Sequence, residues 1–117
     1  MQPPDEEQEQ DRDLLRSRQK VMQQRNQLRK HLQAVLRRSG LHYKAETGHK
    51  SHWTKIHYFW LARTIDGLSG SLKINLELLL RQLKALNEVL TEYGQQIEVL
   101  ASSPRYQPAV HSLTCYK

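Results

Sequence analysis

Four histidines, His42, His49, His52 and His57, fall within sixteen residues, and His111 lies further on. Imidazoles this close in sequence are suited to binding a transition metal, and the spacing of His49 and His52 allows them to sit near one another. The rest of a ligand set is poor. Cys115 is remote and is the only cysteine, and no second thiolate or paired carboxylate accompanies the histidines. Interleaved with Lys44, Lys50 and Lys55, they fit a hydrogen-bonding or phosphate-contacting surface better than a metal centre, and no cofactor is expected. Trp53 and Trp60 have two uses, stacking on bases or packing as core. Their helical spacing favours core. Ser17, Ser39, Ser51, Ser69, Ser71, Ser102, Ser103 and Ser112 sit in no nucleophile elbow and beside no paired base. The acidic N-terminal segment has no core to hold two carboxylates around a metal, and phosphate-binding glycine loops are absent. The chain therefore reads as non-enzymatic.

The charge distribution is more informative than the individual candidates. The net charge is +6 over 117 residues, but the first 13 residues hold six acids: Asp5, Glu6, Glu7, Glu9, Asp11 and Asp13. Between Arg12 and Arg38 nine bases face one acid, Asp13, a local net of +8. A charge field that concentrated suits a polyanionic partner, nucleic acid before membrane, and competes with the plainer reading of a solvated helix face. The residues expected to contact DNA or structured RNA are Arg16, Lys20, Arg25, Arg29, Arg37 and Arg38.

These side chains need long helices to carry them. Leu, Gln, Arg, Lys and Glu dominate the composition, while only five Gly and four Pro are available for turns. The expected fold is all-α, an elongated helical hairpin or coiled coil with a short intervening helix. Residues 1–11 read as an acidic flexible tail or a short helical lead-in. Residues 12–38 read as a basic amphipathic helix, with Leu14, Val21, Leu28 and Val35 seven apart and Gly40 as its stop signal. A loop over 39–50 leads to a short Trp-containing helix over 51–66, capped by Ser51 and presenting Trp53, Ile56, Trp60 and Leu61 on one face. Tyr58 and Phe59 widen that face. A leucine heptad helix comes next over 71–101, and 102–117 read as a linker into a further C-terminal domain. No apolar run reaches the length of a membrane span, and the lone cysteine fits a reducing compartment, so a cytoplasmic location is expected.

The heptad helix carries the strongest pattern. Leu72, Leu76, Leu79, Leu83, Leu86, Leu90, Tyr93, Ile97 and Leu100 are spaced alternately by four and three, which keeps apolar knobs facing a partner helix. Its length, about 43 Å, matches the roughly 40 Å of the first helix. The flanks Glu77, Lys84, Thr91 and Glu98 against Leu78, Ala85, Glu92 and Val99 are too mixed for a charge code. Ile74, Leu78, Leu80, Val89 and Val99 widen the apolar surface, which implies contact with the first helix and with a second chain. Leu76, Leu79, Leu83, Leu86 and Leu90 are the residues expected to serve oligomerisation, in a homo-oligomer or a mixed one.

The run Arg12–Gln19, then Leu32–Tyr43 (LQAVLRRSGLHY), then Ser51–Leu61 (SHWTKIHYFWL) resembles a family of bacterial insertion-sequence transposases, the one numbered one hundred and ten. The resemblance covers about Arg12 to Lys117. Its most specific parts are Leu-Arg-Arg-x-Gly-Leu-x-Tyr and Trp-Thr-Lys-x-His-x-x-Trp-Leu. Members of that family have an N-terminal domain similar to RuvC nucleases with an Asp-Glu-Asp-Asp set and a C-terminal domain with a catalytic serine, and they recombine DNA under the guidance of a structured RNA. The resemblance implies that this chain is the coiled-coil linker of such an enzyme, with the acidic quartet upstream of Met1 and the serine downstream of Lys117. No catalytic residue carries over, and the chain reads as a truncated, decayed or frameshifted fragment. Two rivals stay open. One is a free-standing helical regulator that forms mixed oligomers with a full-length transposase; the other is a small RNA-binding helical protein unrelated to transposition.

Overall fold

The computed structural model describes residues 4–103; the expected linker, with His111 and Cys115, lies almost wholly outside the described residues. Four helices succeed one another: α1 (Pro4–Arg38), α2 (Tyr43–Thr47), α3 (Lys55–Asp66) and α4 (Gly70–Ala101). No strand occurs among the described residues, and the fold is all-α, with α1 and α4 packed together as a hairpin. The chain divides into two compact units, residues 25–85 and a second unit formed by the beginning of α1 and the end of α4.

α1 begins at Pro4 rather than at Arg12, so the acidic segment is a helical lead-in, the second of its two readings, and not a flexible tail. Proline suits the first helical position, where its missing N–H would have no partner. Acids in the first turns favour the positive end of the helix dipole. Glu9 also anchors the basic side chains beyond it: Arg16 donates to Glu9 at 2.9 Å and to Asp13 at 2.8 Å, and Arg12 reaches Glu9 at 3.5 Å. These hydrogen bonds and charges hold the Glu9 carboxyl below its ordinary range and raise Arg16.

The end of α1 is built from its own sequence. Gly40 takes a left-handed conformation (φ 76°), the Leu41 N–H donates to the Leu36 carbonyl at 2.9 Å, and the Gly40 N–H donates to the Arg37 carbonyl at 3.1 Å. That pair of bonds closes the last turn, and Leu41 packs beside the core at the point where the chain leaves the helix. The expected loop over 39–50 is interrupted: α2 fills five of its residues and ends at Gly48, also left-handed.

Residues 25–85 hold the hydrophobic core. Leu32, Val35 and Leu36 from α1, Tyr43 from α2, Trp60, Leu61 and Ile65 from α3, and Leu76, Leu79, Leu80 and Leu83 from α4 are all buried. Leu32, Leu61, Leu76 and Leu83 are wholly enclosed. The α4 seam is therefore used inside the chain. Leu76, Leu79 and Leu83, expected to serve association between chains, are taken up by the chain's own core, and a second chain would not reach them with this unit folded. Leu80, outside the seam, is buried as well, in the core cluster to which α3 contributes Trp60, Leu61 and Ile65.

In the other unit no described residue is fully buried. Its inward positions are half-buried: Leu14, Arg18 and Val21 on α1, and Leu86, Leu90, Tyr93, Ile97 and Leu100 on α4. Two helices alone bury only a stripe, and among the described residues of this unit no third element covers it.

Candidate nucleic-acid interface

A cluster of rings occupies the turn between α2 and α3. Tyr43 is its hub, with ring centroids of His49, His52, His57 and Trp60 at 6.2, 5.5, 4.6 and 5.2 Å. His57, on the first turn of α3, is only 1% exposed and lies 4.8 Å from both His52 and Trp53. Its Nδ1 accepts the Trp53 backbone N–H at 2.8 Å, which requires that nitrogen to carry no proton. Burial, with the nearby His52 and Arg29 adding, pushes the His57 pKa down to about 4. His49 and His52 each lie against the Tyr43 ring, but His57 is part of the core and not of a phosphate-contacting surface. Among the described residues no three of His, Cys, Asp and Glu converge on a point where a metal ion would sit.

The hydrogen bond to His57 holds an unusual backbone. Trp53 has φ 66°, a conformation that costs a residue with a side chain on the order of 1–2 kcal/mol. That turn moves the helix start from the expected Ser51 to Thr54, whose hydroxyl accepts the His57 N–H at 3.2 Å. We expect Thr54→Ala to lower stability by about 1 kcal/mol, the worth of an N-cap, in a urea titration. Ser51→Ala should leave the midpoint in place. The reverse order would mean that Ser51 caps the helix.

Trp60 is buried and Trp53 half-buried, so both pack as core. Ile56, expected on the same face, is instead 52% exposed, and Phe59 is 64% exposed with the Arg63 guanidinium 5.7 Å from its ring centre. The buried face of α3 runs through His57, Trp60, Leu61 and Ile65.

The six basic residues singled out from the sequence divide into three kinds. Arg37, Arg38 and Lys20 are exposed. Arg16 is exposed but held by Glu9 and Asp13. Arg25 and Arg29 are half-buried, and Arg29 lies over the Trp53 ring at 4.9 Å with its Nε enclosed. Inward positions of α1 recur at Asp11, Leu14, Arg18, Val21, Arg25, Leu28, Leu32 and Val35, again alternately three and four apart. Arg25 thus stands in the seam, where its methylenes cover apolar surface.

The division into units sharpens the charge pattern. Residues 25–85 carry twelve Lys and Arg against three Asp and Glu, a net of +9; the remaining residues carry six bases against nine acids, a net of −3. Lys30, Arg37, Arg38, Lys44, Lys50, Lys55, Arg63, Arg81 and Lys84 are all exposed on the basic unit. Runs of neighbouring charges do not point to Arg63, which stands alone in sequence and is exposed on α3. No helix among the described residues is long and apolar enough to cross a membrane. No family model, curated protein or solved structure matches the chain.

Proposed function

We propose that this chain is the helical assembly and nucleic-acid-contacting region of an insertion-sequence transposase, of the family that its motifs resemble, and serves DNA transposition without catalysing it alone. The observation that carries the nucleic-acid part is the concentration of charge, +9 on residues 25–85, with nine exposed cations on that unit. Phosphate neutralisation and counterion release would drive binding to DNA or to a structured RNA. The transposase part is supported by the resemblance of Leu32–Tyr43 and Ser51–Leu61, which fall on the end of α1 and on α3 with its approach. A cytoplasmic location goes with this reading, as does assembly with like chains or with an intact transposase. Partners would meet surfaces other than Leu76, Leu79 and Leu83, which the core occupies.

The test is a transplant: residues 12–103 replace the corresponding region of an intact transposase of that family, and excision of its element is measured. Retained excision is expected; a folded chimera without excision sinks the transposase reading. The nucleic-acid part has its own measurement. Replacing Arg37 and Arg38 by Gln should shallow the plot of log affinity against log salt by roughly 1.4 to 1.8, at about 0.7–0.9 per phosphate contact. An unchanged slope removes both residues from the interface. Arg25 and Arg29 are unsuitable for this test, because Gln there also removes packing.

A further inference from the structure

We infer that the outer face of α3 holds an unpaired nucleobase, stacked on Phe59 and embraced by Arg63, so that the basic unit selects single-stranded nucleic acid over duplex. The inference rests on the proposed binding of nucleic acid and names the substrate class of that surface.

Phe59 is a large aromatic ring that the fold leaves 64% exposed, although the same helix buries Trp60 and Leu61 beside it. The Arg63 guanidinium lies 5.7 Å from the ring centre, one helical turn on, and both side chains border an open depression of about 420 Å³. Ile56, Thr47, His49 and Glu46 complete much of its wall. The volume falls within the range of small-molecule sites, roughly 300–1,000 Å³. A depression this open suits one base of a longer strand better than a free ligand, which would need enclosure on more sides.

The chemistry of the wall fits a nucleotide. Phe59 and Ile56 offer an apolar floor for the face of a base, which every base possesses regardless of sequence. Arg63 offers a planar cation that stacks on a ring or pairs with a phosphate. His49, exposed at the rim, supplies a hydrogen-bonding imidazole. Glu46 is the only carboxylate there; it accepts the His42 N–H at 3.1 Å, and its other oxygen suits an exocyclic amino group rather than a phosphate. Lys50 and Lys55, both exposed and flanking in sequence, would track the strand's backbone. A duplex keeps its bases stacked on each other and has no face to give Phe59, so its binding draws on the lysines and arginines alone.

The test compares binding of the whole chain to a uridine oligomer, a thymidine oligomer, an abasic oligomer of the same length and a duplex. Phe59→Ala is expected to weaken binding to a base-bearing single strand about tenfold or more, while abasic and duplex affinities and their salt slopes stay as in the wild type. Phe59→Trp, which keeps a stacking surface, should restore it. A greater loss with uridine assigns the site to RNA, and with thymidine to DNA. Unchanged single-strand affinity in a folded Phe59→Ala protein overturns the stacking site and leaves the nucleic-acid reading standing. No binding of any oligomer by the wild type overturns both.

Discussion

Leu83→Asp is expected to abolish the cooperative unfolding transition of residues 25–85 and most of the helical circular dichroism that depends on it. Leu83 is 0% exposed and belongs to a core cluster with Leu32, Leu61 and Leu76, themselves at 0%. Removing a leucine side chain from such a site costs about 2–5 kcal/mol through lost burial and the cavity left behind. The new carboxyl must then be buried ionised, or protonated at a raised pKa, at a further cost of several kcal/mol. A domain this small commands about 5–15 kcal/mol in total, and the sum of these losses consumes it. Leu78→Asp is the control, on the same helix but 45% exposed, and is expected to shift the urea midpoint by no more than about 1 kcal/mol. The measurement is far-UV circular dichroism against urea, with solution mass alongside. If Leu83→Asp melts like the wild type but loses oligomeric mass, the seam faces a second chain and does not pack against Leu32 and Leu61.

Why the seam was readable, and its use was not, comes down to the distinction between period and partner. The alternation of Leu72 through Leu100 places those residues on one face whatever they meet, and all nine are buried or half-buried. The stop at Gly40 was equally local, because a left-handed residue after two basic ones closes a helix with its own carbonyls. Which helix fills the seam depends on contacts between residues distant in sequence. Leu32 and Leu61 join Leu76 and Leu83 in one core cluster only through the turns between the helices, and Leu80 is buried with them against the heptad pattern. The α1 seam was half hidden for a related reason. Searching for apolar residues finds Leu14, Val21, Leu28 and Val35 but passes over Arg18 and Arg25, which alternate with them. An arginine lays its stem along apolar surface and looks like a surface charge in sequence.

The nucleic-acid surface was legible in its sign and not in its membership. Runs of basic residues point to α1, yet the exposed cations of residues 25–85 also come from α2, α3 and α4. Arg16, although basic and exposed, is engaged by Asp13 and by Glu9, an acid that a flexible tail would have left elsewhere. Phe59 could not be told from Trp60 by periodicity, since neighbours on a short helix differ in burial only by where the next helix lies. Trp53 is the extreme case: no pattern of side chains announces its positive φ, which arises only once the His57 side chain is in place to receive its N–H.

That same bond makes the fold sensitive to acid. His57 is neutral when folded, with its pKa near 4 against an ordinary 6.5, chiefly through burial. The unfolded chain therefore binds a proton between these values that the folded chain refuses. Stability from this residue is complete above about pH 6.5, declines as pH falls, and is lost by about pH 4, a difference on the order of 3 kcal/mol. The geometry gives the same sign independently. A protonated Nδ1 would present N–H to the Trp53 N–H, 2.8 Å away, leaving a buried donor without an acceptor and Trp53 without the bond that holds its φ of 66°. The groups facing it offer no relief: His52 is an imidazole at 4.8 Å, Arg29 is a cation over the adjoining Trp53 ring, and Tyr43 presents its ring 4.6 Å away. His57→Asn places a carbonyl oxygen near the position of Nδ1 and cannot titrate. Urea unfolding of both proteins at pH 7, 6, 5 and 4 separates this contribution from that of the carboxylates, which the two share. The wild type is expected to be the more stable at pH 7 and to lose about 3 kcal/mol more than His57→Asn by pH 4. Parallel losses across the whole range would mean that His57 takes up its proton in the folded state as readily as in the unfolded one, and that Trp53 is held by something else.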